Sequence, residues 1–228
     1  MEQLQSDFYR VFIEEHRYMM FLDGLKVTIG VSIAAVILGV FLGMLLALMK
    51  MTEVRKGKKT VFSVLANIYI DIIRGTPTVV QLLIIYFVVF QTRMGIVAGI
   101  VTFGMNSSAY VAEIIRAGIM AVDNGQMEAG RSLGLSYTDT MKEIILPQAI
   151  KNILPALGNE FIVLIKETAI LGYVAIQDLT KASDFIVSRT YIMFMPLIGC
   201  AVIYYLLVKL LTLVLNAFER RMRQSDIR

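Results

Sequence analysis

Apolar residues occur in five long stretches along the chain, and each stretch is long enough to cross a bilayer as a helix. A transmembrane helix needs about 20 consecutive, mostly apolar residues to cover the hydrocarbon core. The pattern therefore predicts an all-α integral membrane protein, with five transmembrane helices in one domain that takes in residues 1–228. The predicted spans are residues 27–49, 61–92, 94–121, 153–176 and 190–218.

The N-terminal segment, residues 1–23, shows a different pattern. Its apolar residues recur at roughly helical spacing among acidic residues, as they do on an amphipathic helix. The segment carries five acids and only two arginines, so it lacks the basic start of a signal peptide. We predict that this segment forms an interfacial helix that lies on the bilayer surface.

Composition excludes two other classes of protein. Hydrophobic residues make up 57% of the chain and charged residues 18%. A soluble domain is usually about a quarter charged, whereas a disordered chain combines low hydrophobicity with high net charge. The single cysteine, Cys200, and the single histidine, His16, exclude an intrachain disulfide and a Cys/His zinc cluster, so no metal site is predicted.

The distribution of Lys and Arg predicts an orientation. Twelve of these residues lie in the segments that follow spans 1, 3 and 5, and fewer lie on the opposite side. The positive-inside rule therefore places the N-terminus outside and the C-terminus in the cytoplasm. Whether the outer side is a periplasm or an open cell surface stays open.

The loop between spans 3 and 4, residues 123–147, carries signals for two short helices. Each helix is predicted by a polar N-cap residue with a second polar residue three positions later. A glycine separates the helices, and a Leu-Pro pair is predicted to end the second one. The loop either docks a cytoplasmic partner or merely connects the spans. The residues concerned are Asp123 with Gln126, Gly134, Ser136 with Asp139, and Leu146-Pro147.

Several short motifs lie in and around this loop. They are Glu128-Ala129-Gly130, Ser132-Leu133-Gly134-Leu135, Ile145-Leu146-Pro147-Gln148-Ala149, Arg74-Gly75-Thr76-Pro77, Ala109-Tyr110-x-Ala112-Glu113 and Lys166-Glu167-Thr168. The loop motifs resemble the EAA loop of ABC importer permeases. With the flanking motifs, the chain resembles the polar amino acid transport group of these permeases, the HisMQ-like family. Gly130 stands where the second alanine of the loop motif is usual, and we expect it to loosen the first loop helix.

The resemblance implies a type I ABC importer fold in the cell membrane of a prokaryote, with a coupling helix in the cytoplasmic loop. It implies an ABC ATPase in two copies, a second permease chain that is identical or related, an extracytoplasmic solute-binding protein and no nucleic acid. This chain has no Gly-x-x-x-x-Gly-Lys-Ser/Thr motif, so we expect no cofactor in it and ATP on the partner. The expected ATPase-docking residues are Glu128, Ala129, Gly130, Leu133 and Gly134.

Polar residues inside the spans are candidates for a substrate path, because polar groups are costly in lipid. The Gly-Thr-Pro element of span 2 either lines a cavity at a broken helix or only kinks the span. Ser108 and Tyr110 either line the path or form hydrogen bonds between helices. Glu160 either binds substrate or pairs with a Lys or Arg of another span. The predicted substrate-binding residues are Gly75, Thr76, Pro77, Gln81, Ser108, Tyr110 and Glu160.

Two further pairs of charged residues lie three positions apart within spans, Asp71 with Arg74 and Glu113 with Arg116. Residues at this spacing face each other on a helix, so we predict an ion pair in each case.

Together with the resemblance, these features predict a permease subunit, not an enzyme, that imports polar or basic L-amino acids by alternating access. Glu160 favours a basic amino acid. A membrane channel or a signalling anchor is the alternative, but it leaves the doubly capped loop unexplained. An intramembrane enzyme would need converging nucleophiles, bases or metal ligands, which the spans lack. The particular amino acid and the choice between homodimer and heterodimer stay open.

Overall fold

The computed structural model describes residues 2–224, without the side chains of residues 54–56 and 223–224. All regular structure within this part of the chain is helical, so the predicted all-α class is confirmed. The helices are α1 (Glu2–Phe8), α2 (Tyr18–Lys56), α3 (Val61–Gly75), α4 (Thr78–Ile84), α5 (Gly95–Met120), α6 (Asn124–Ser132), α7 (Tyr137–Thr140), α8 (Leu146–Glu167), α9 (Leu179–Thr190) and α10 (Phe194–Gln224).

Shorter π and 3₁₀ turns extend several of these helices. Such turns widen or tighten the helical ladder where the regular i→i+4 pattern is interrupted. The π turns are Tyr9–Ile13, Ile85–Val89 and Met141–Ile145, and the 3₁₀ turns are Glu14–His16 and Thr168–Val174.

The second predicted span, residues 61–92, is not one continuous helix. α3 ends at Gly75, and α4 begins at Thr78 after a bend of 103° between the helix axes. Pro77 explains the break, because it has no N–H to continue the helical ladder and takes the extended N-cap conformation. Within the described residues, α2, α5 and α10 are each long and apolar enough to cross a membrane, and the bent pair makes a fourth candidate. A span at α8 stays a prediction.

The N-terminal segment is also interrupted, so the single helix expected over residues 1–23 is wrong. Its first part, α1 with the following π turn, ends at Ile13, and α2 already starts at Tyr18. Glu15 and His16 take left-handed conformations with φ of 52° and 53°. The buried Arg17 holds this turn through ion pairs with Glu14 at 3.2 Å and Glu15 at 3.0 Å.

The loop between α5 and α8 has the two predicted N-caps. The Asp123 carboxylate accepts the backbone N–H of Gly125 at 2.7 Å, and the Ser136 hydroxyl accepts that of Asp139 at 3.1 Å. Gly134, with φ of +87°, closes the first helix as expected. Gln126 donates its backbone N–H to the backbone carbonyl of Asp123 at 3.0 Å.

The second loop helix does not stop at Leu146-Pro147, and here the prediction is wrong. A π turn, Met141–Ile145, joins it directly to α8. Leu146 donates its backbone N–H to the carbonyl of Met141, five residues back. The wider turn shifts the hydrogen-bonding register just before Pro147, so a residue without an N–H fits at the start of α8.

The chain folds as two compact units. The first unit comprises Met1–Leu38, Thr76–Gly104 and Phe161–Thr212. Its main core includes the fully buried side chains of Leu82, Phe103 and Leu171. A second core in this unit surrounds α9, a helix that the sequence did not predict, through Leu179 and Ile186.

The second unit comprises Gly39–Gly75, Met105–Glu160 and Leu213–Arg228. Two glycines bring its helices into close contact. A Cβ at Gly43 of α2 would lie 2.6 Å from the side chain of Val111 on α5, and a Cβ at Gly118 of α5 would lie 2.4 Å from that of Ile153 on α8. Gly43 therefore allows α5 to approach α2 closely.

Candidate substrate and ATPase-docking sites

The middle of α5 carries three consecutive buried polar residues, Asn106, Ser107 and Ser108. The Ser107 hydroxyl donates a hydrogen bond to Glu160 Oε1 on α8 at 3.0 Å. Glu160 is half-buried, and Ser107 is fully buried. The sequence predicted Glu160 as a site residue but did not predict its contact with Ser107.

Ser108 contacts a different helix. Its hydroxyl donates to the carbonyl of Met105 at 2.7 Å and lies 3.0 Å from the hydroxyl of Tyr69 on α3. Tyr69 also donates to the carbonyl of Met105 at 3.1 Å. Ser108 therefore takes part in a hydrogen-bonded contact between α3 and α5, the interhelical reading that the sequence had left open.

Tyr110 also packs against α3. The guanidinium of Arg74 lies over its ring, with Cζ 5.0 Å from the ring centroid, which is the geometry of a cation–π contact. Arg74 forms no ion pair with Asp71 in the described part of the chain, so the prediction for that pair is wrong. The aromatic face offers the cation a partly buried partner on a neighbouring helix.

Glu113, on α5, is bonded by two cationic side chains. Arg116 pairs with its Oε2 at 2.9 Å, which confirms the predicted pair, and Lys50 of α2 pairs with its Oε1. The three side chains are between 17% and 34% exposed. Two cations thus compensate one carboxylate, and Lys50 ties α2 to α5.

The broken helix presents polar groups around Thr76. Gln81 donates its side-chain amide to the Thr76 carbonyl at 3.1 Å and to its hydroxyl at 2.8 Å. Gly75, Thr76 and Pro77 are exposed. The side chain of Gln81 thus links α4 to the non-helical Thr76, and this link stabilises the break between α3 and α4.

Four of the five predicted docking residues lie on the exposed surface of the loop: Glu128, Ala129, Leu133 and Gly134. Leu133 is 82% exposed, which is unusual for a large apolar side chain. Gly130 is buried, and a Cβ there would lie 2.5 Å from Thr140 Cγ2. Gly130 therefore lets the two loop helices pack closely, and the expected loosening of the first loop helix stays a prediction.

Within residues 2–224, no group of three or more His, Cys, Asp or Glu side chains is arranged to hold a metal ion. The carboxylates described above are instead held by hydroxyls, cations and backbone amides. This arrangement can recognise polar groups through hydrogen bonds and ion pairs.

Residues 27–224 match the family described as binding-protein-dependent transport system inner membrane component. The chain belongs to this family. A putative glutamine transport system permease protein of Rickettsia typhi is 42% identical to this permease over 210 residues, which are 90% of this chain and 94% of that protein. The arginine transport system permease protein ArtQ of Bacillus subtilis is 41% identical over 209 residues, which cover 90% and 93% of the two chains.

Solved structures agree with this assignment. A chain from the crystal structure of an amino acid ABC transporter with histidines is 47% identical and superposes with a TM-score of 0.84, covering 92% of this permease and 98% of that chain. A chain of the inward-facing MetNI methionine ABC transporter has a TM-score of 0.75 at 18% identity, covering 90% and 97%, and so shares the fold alone.

The family assignment confirms the type I ABC importer fold and the permease role. The protein is a multi-pass membrane component of an ABC transporter, and ATP hydrolysis in this family belongs to a partner subunit. Proteins of this family work with an ATPase and a binding protein.

Proposed function

We propose that this permease imports a polar or basic L-amino acid, with the Glu160 carboxylate contacting a cationic group of the substrate. The observation that carries the proposal is a half-buried carboxylate that is bonded by a neutral hydroxyl on a transmembrane helix. A carboxylate inside a membrane helix is costly and is commonly functional. Relatives named for glutamine and arginine transport support the substrate class.

The polar break at Thr76 is proposed as a second part of the substrate path. A non-helical segment in a membrane helix is tolerated where it lines a cavity. The exposed residues Gly75, Thr76 and Pro77, with Gln81 beside them, offer backbone carbonyls and amide groups to a polar ligand. Ser108 and Tyr110 act by holding α3 against α5.

The exposed loop face is proposed as the dock for an ATPase that binds ATP. The surface is rigid because it lies on one short, capped helix. Glu128 and Ala129 are in this helix, and Leu133 is its C-cap residue. An exposed leucine on a rigid element suits insertion into an apolar pocket of a partner. The orientation proposed from the positive-inside rule puts this loop in the cytoplasm, with the N-terminus outside.

The assembly proposed here has two ATPases, two permease chains and an extracytoplasmic binding protein. Substrate enters from outside and is released inside after ATP-driven rearrangement. Native mass spectrometry of the complex purified in mild detergent gives the stoichiometry and distinguishes a homodimer of this chain from a heterodimer.

Copurification tests the docking proposal. The variant Leu133→Asp places a charge at the exposed tip and is expected to lose the ATPase during purification from native membranes. Thr138→Asp, on an exposed position of the same loop, is the matched control and is expected to retain the ATPase. Equal retention of the ATPase in both variants would contradict docking at this face. If the wild-type chain purifies without any ATPase, a channel or an anchor would be favoured instead.

A further inference from the structure

The three buried hydroxyl side chains in the middle of α5 use their hydrogens differently. Thr102 and Ser108 donate to backbone carbonyls of α5 itself, each at 2.7 Å. Ser107 donates instead to the Glu160 carboxylate of α8, 53 residues away in sequence. Serine in a helix commonly bonds the carbonyl three or four residues back, so the contact of Ser107 is a departure from the local default.

Burial makes a hydrogen-bond partner necessary for this hydroxyl. Ser107 has no exposed surface, and a buried hydroxyl without a partner costs free energy. A hydroxyl that donates to an ionised carboxylate forms a charge-assisted bond, which is stronger than one between neutral groups. The bond therefore restricts the rotamer of Glu160.

Packing fixes the distance between the two helices. Gly118 of α5 lies against Ile153 of α8 so closely that a Cβ would overlap the isoleucine at 2.4 Å. Ala149 and Ile153 are buried in the same cluster. This packing holds α5 against α8, and the Ser107 hydroxyl is one of the groups that orient the Glu160 carboxylate.

The chemistry of the donor matters as much as its position. Glu113, on the same helix as Ser107, is bonded by two cations that compensate its charge. A serine hydroxyl contributes a hydrogen bond and no charge. Ser107 therefore orients the Glu160 carboxylate and does not itself neutralise it.

We propose that Ser107 is a positioning residue that aims the Glu160 carboxylate at a cationic side chain of the substrate, and so sets the preference of this permease for basic over neutral amino acids. The inference rests on the proposed function, because it requires Glu160 to contact substrate. Ser107 acts through Glu160 and does not touch the substrate itself.

Equilibrium binding to the purified permease–ATPase complex tests this role, with L-arginine, L-lysine and L-glutamine as probes. In Ser107→Ala we expect the Kd for arginine and lysine to rise about three- to tenfold, the usual effect of losing one hydrogen bond. The Kd for glutamine is expected to stay within about twofold, because the neutral side chain does not use the carboxylate.

The matched control is Thr102→Val, which removes another fully buried hydroxyl of α5 that donates only to its own helix. It is expected to leave the ratio of arginine to glutamine affinity unchanged. An equal loss of affinity for all three amino acids in Ser107→Ala would show a structural role only and would overturn the proposal.

Two further variants separate this inference from the function on which it rests. In Glu160→Gln, adding Ser107→Ala is expected to cause no further change in selectivity. Unchanged binding in Glu160→Gln would contradict the proposed site itself. A selective loss of affinity for basic amino acids in Glu160→Gln, with no such loss in Ser107→Ala, would overturn only the role of Ser107.

If Ser107→Ala does not assemble, Ser107→Thr should keep the wild-type ratio of arginine to glutamine affinity and Ser107→Cys should lower that ratio. Equal ratios in those two variants would contradict the proposal.

Discussion

Two carboxylates of the second unit are held in opposite ways. Glu113 is bonded by Lys50 and Arg116, so its charge is compensated within the protein. Glu160 accepts a hydrogen bond from the neutral hydroxyl of Ser107. Glu113 joins helices through its ion pairs, whereas the proposed role of Glu160 is to meet a cationic group of the substrate, and the comparison shows that the same residue type can serve either purpose.

The largest expected effect is on substrate binding, in Glu160→Gln. The amide keeps the shape of the side chain and an oxygen for Ser107, but loses the charge. A hydrogen bond to a charged group is worth about 1.5–3 kcal/mol, so the Kd for arginine should rise roughly tenfold to a hundredfold. Thermal unfolding in detergent should change little. A large fall in the midpoint with unaltered affinity would reverse the roles of the two acids.

The next effect is on stability, in Glu113→Gln. This change leaves two cations facing a neutral amide. Breaking a fully buried pair costs about 3–5 kcal/mol, and partial exposure reduces the expected loss here to about 2 kcal/mol. The unfolding midpoint should fall, while the ratio of arginine to glutamine affinity stays constant. A changed ratio would mean that Glu113, too, contacts substrate.

A smaller loss is expected in Lys50→Met, because Arg116 still pairs with Glu113 at 2.9 Å. We expect a loss of about 1 kcal/mol of unfolding free energy, since only one of two cations is removed from a partly exposed pair. Added salt should reduce the difference between wild type and this variant. A loss as large as that of Glu113→Gln would show that Lys50 alone compensates the carboxylate.

The neighbouring hydroxyls allow a finer test, with Ser108→Ala set beside Ser107→Ala. The Ser108 hydroxyl lies 3.0 Å from that of Tyr69, and Tyr69 keeps its hydrogen bond to the Met105 carbonyl in the variant. The expected loss is about 0.5–1 kcal/mol of stability without a change in selectivity. If selectivity changes, Ser108 belongs to the substrate path, as the sequence had suggested.

Asp178 is a third carboxylate, and it lies outside the predicted spans. Like Glu160, it accepts hydrogen bonds from neutral donors. Burial raises its pKa, against the backbone N–H groups of Lys181 and Thr180 that bond it. The contribution of Asp178 to stability is therefore fully present below the unfolded pKa of about 3.9 and is lost as pH rises through the folded pKa. Asp178→Asn should remove this loss in mildly acidic solution, measured by unfolding at several pH values. The same pH dependence in both proteins would assign it to other groups.

The sequence predicted the long helices and the loop caps because hydrophobic length and capping residues are local signals. It missed α9, although Leu179, Ala182, Ser183, Ile186 and Thr190 form one buried face, because the helix is short and carries charges. It also missed the partners of Glu160 and Arg74. Those contacts join distant segments, and no local pattern encodes which helix a polar side chain meets.

The central claim is that Glu160, and not Glu113, recognises the positive charge of the substrate. The most direct measurement is ATP-driven uptake of arginine and glutamine in proteoliposomes that contain the complete transporter with its binding protein. The ratio of arginine to glutamine uptake should collapse in Glu160→Gln and stay at the wild-type value in Glu113→Gln. An unchanged ratio in Glu160→Gln, or equal changes in both variants, would contradict the account.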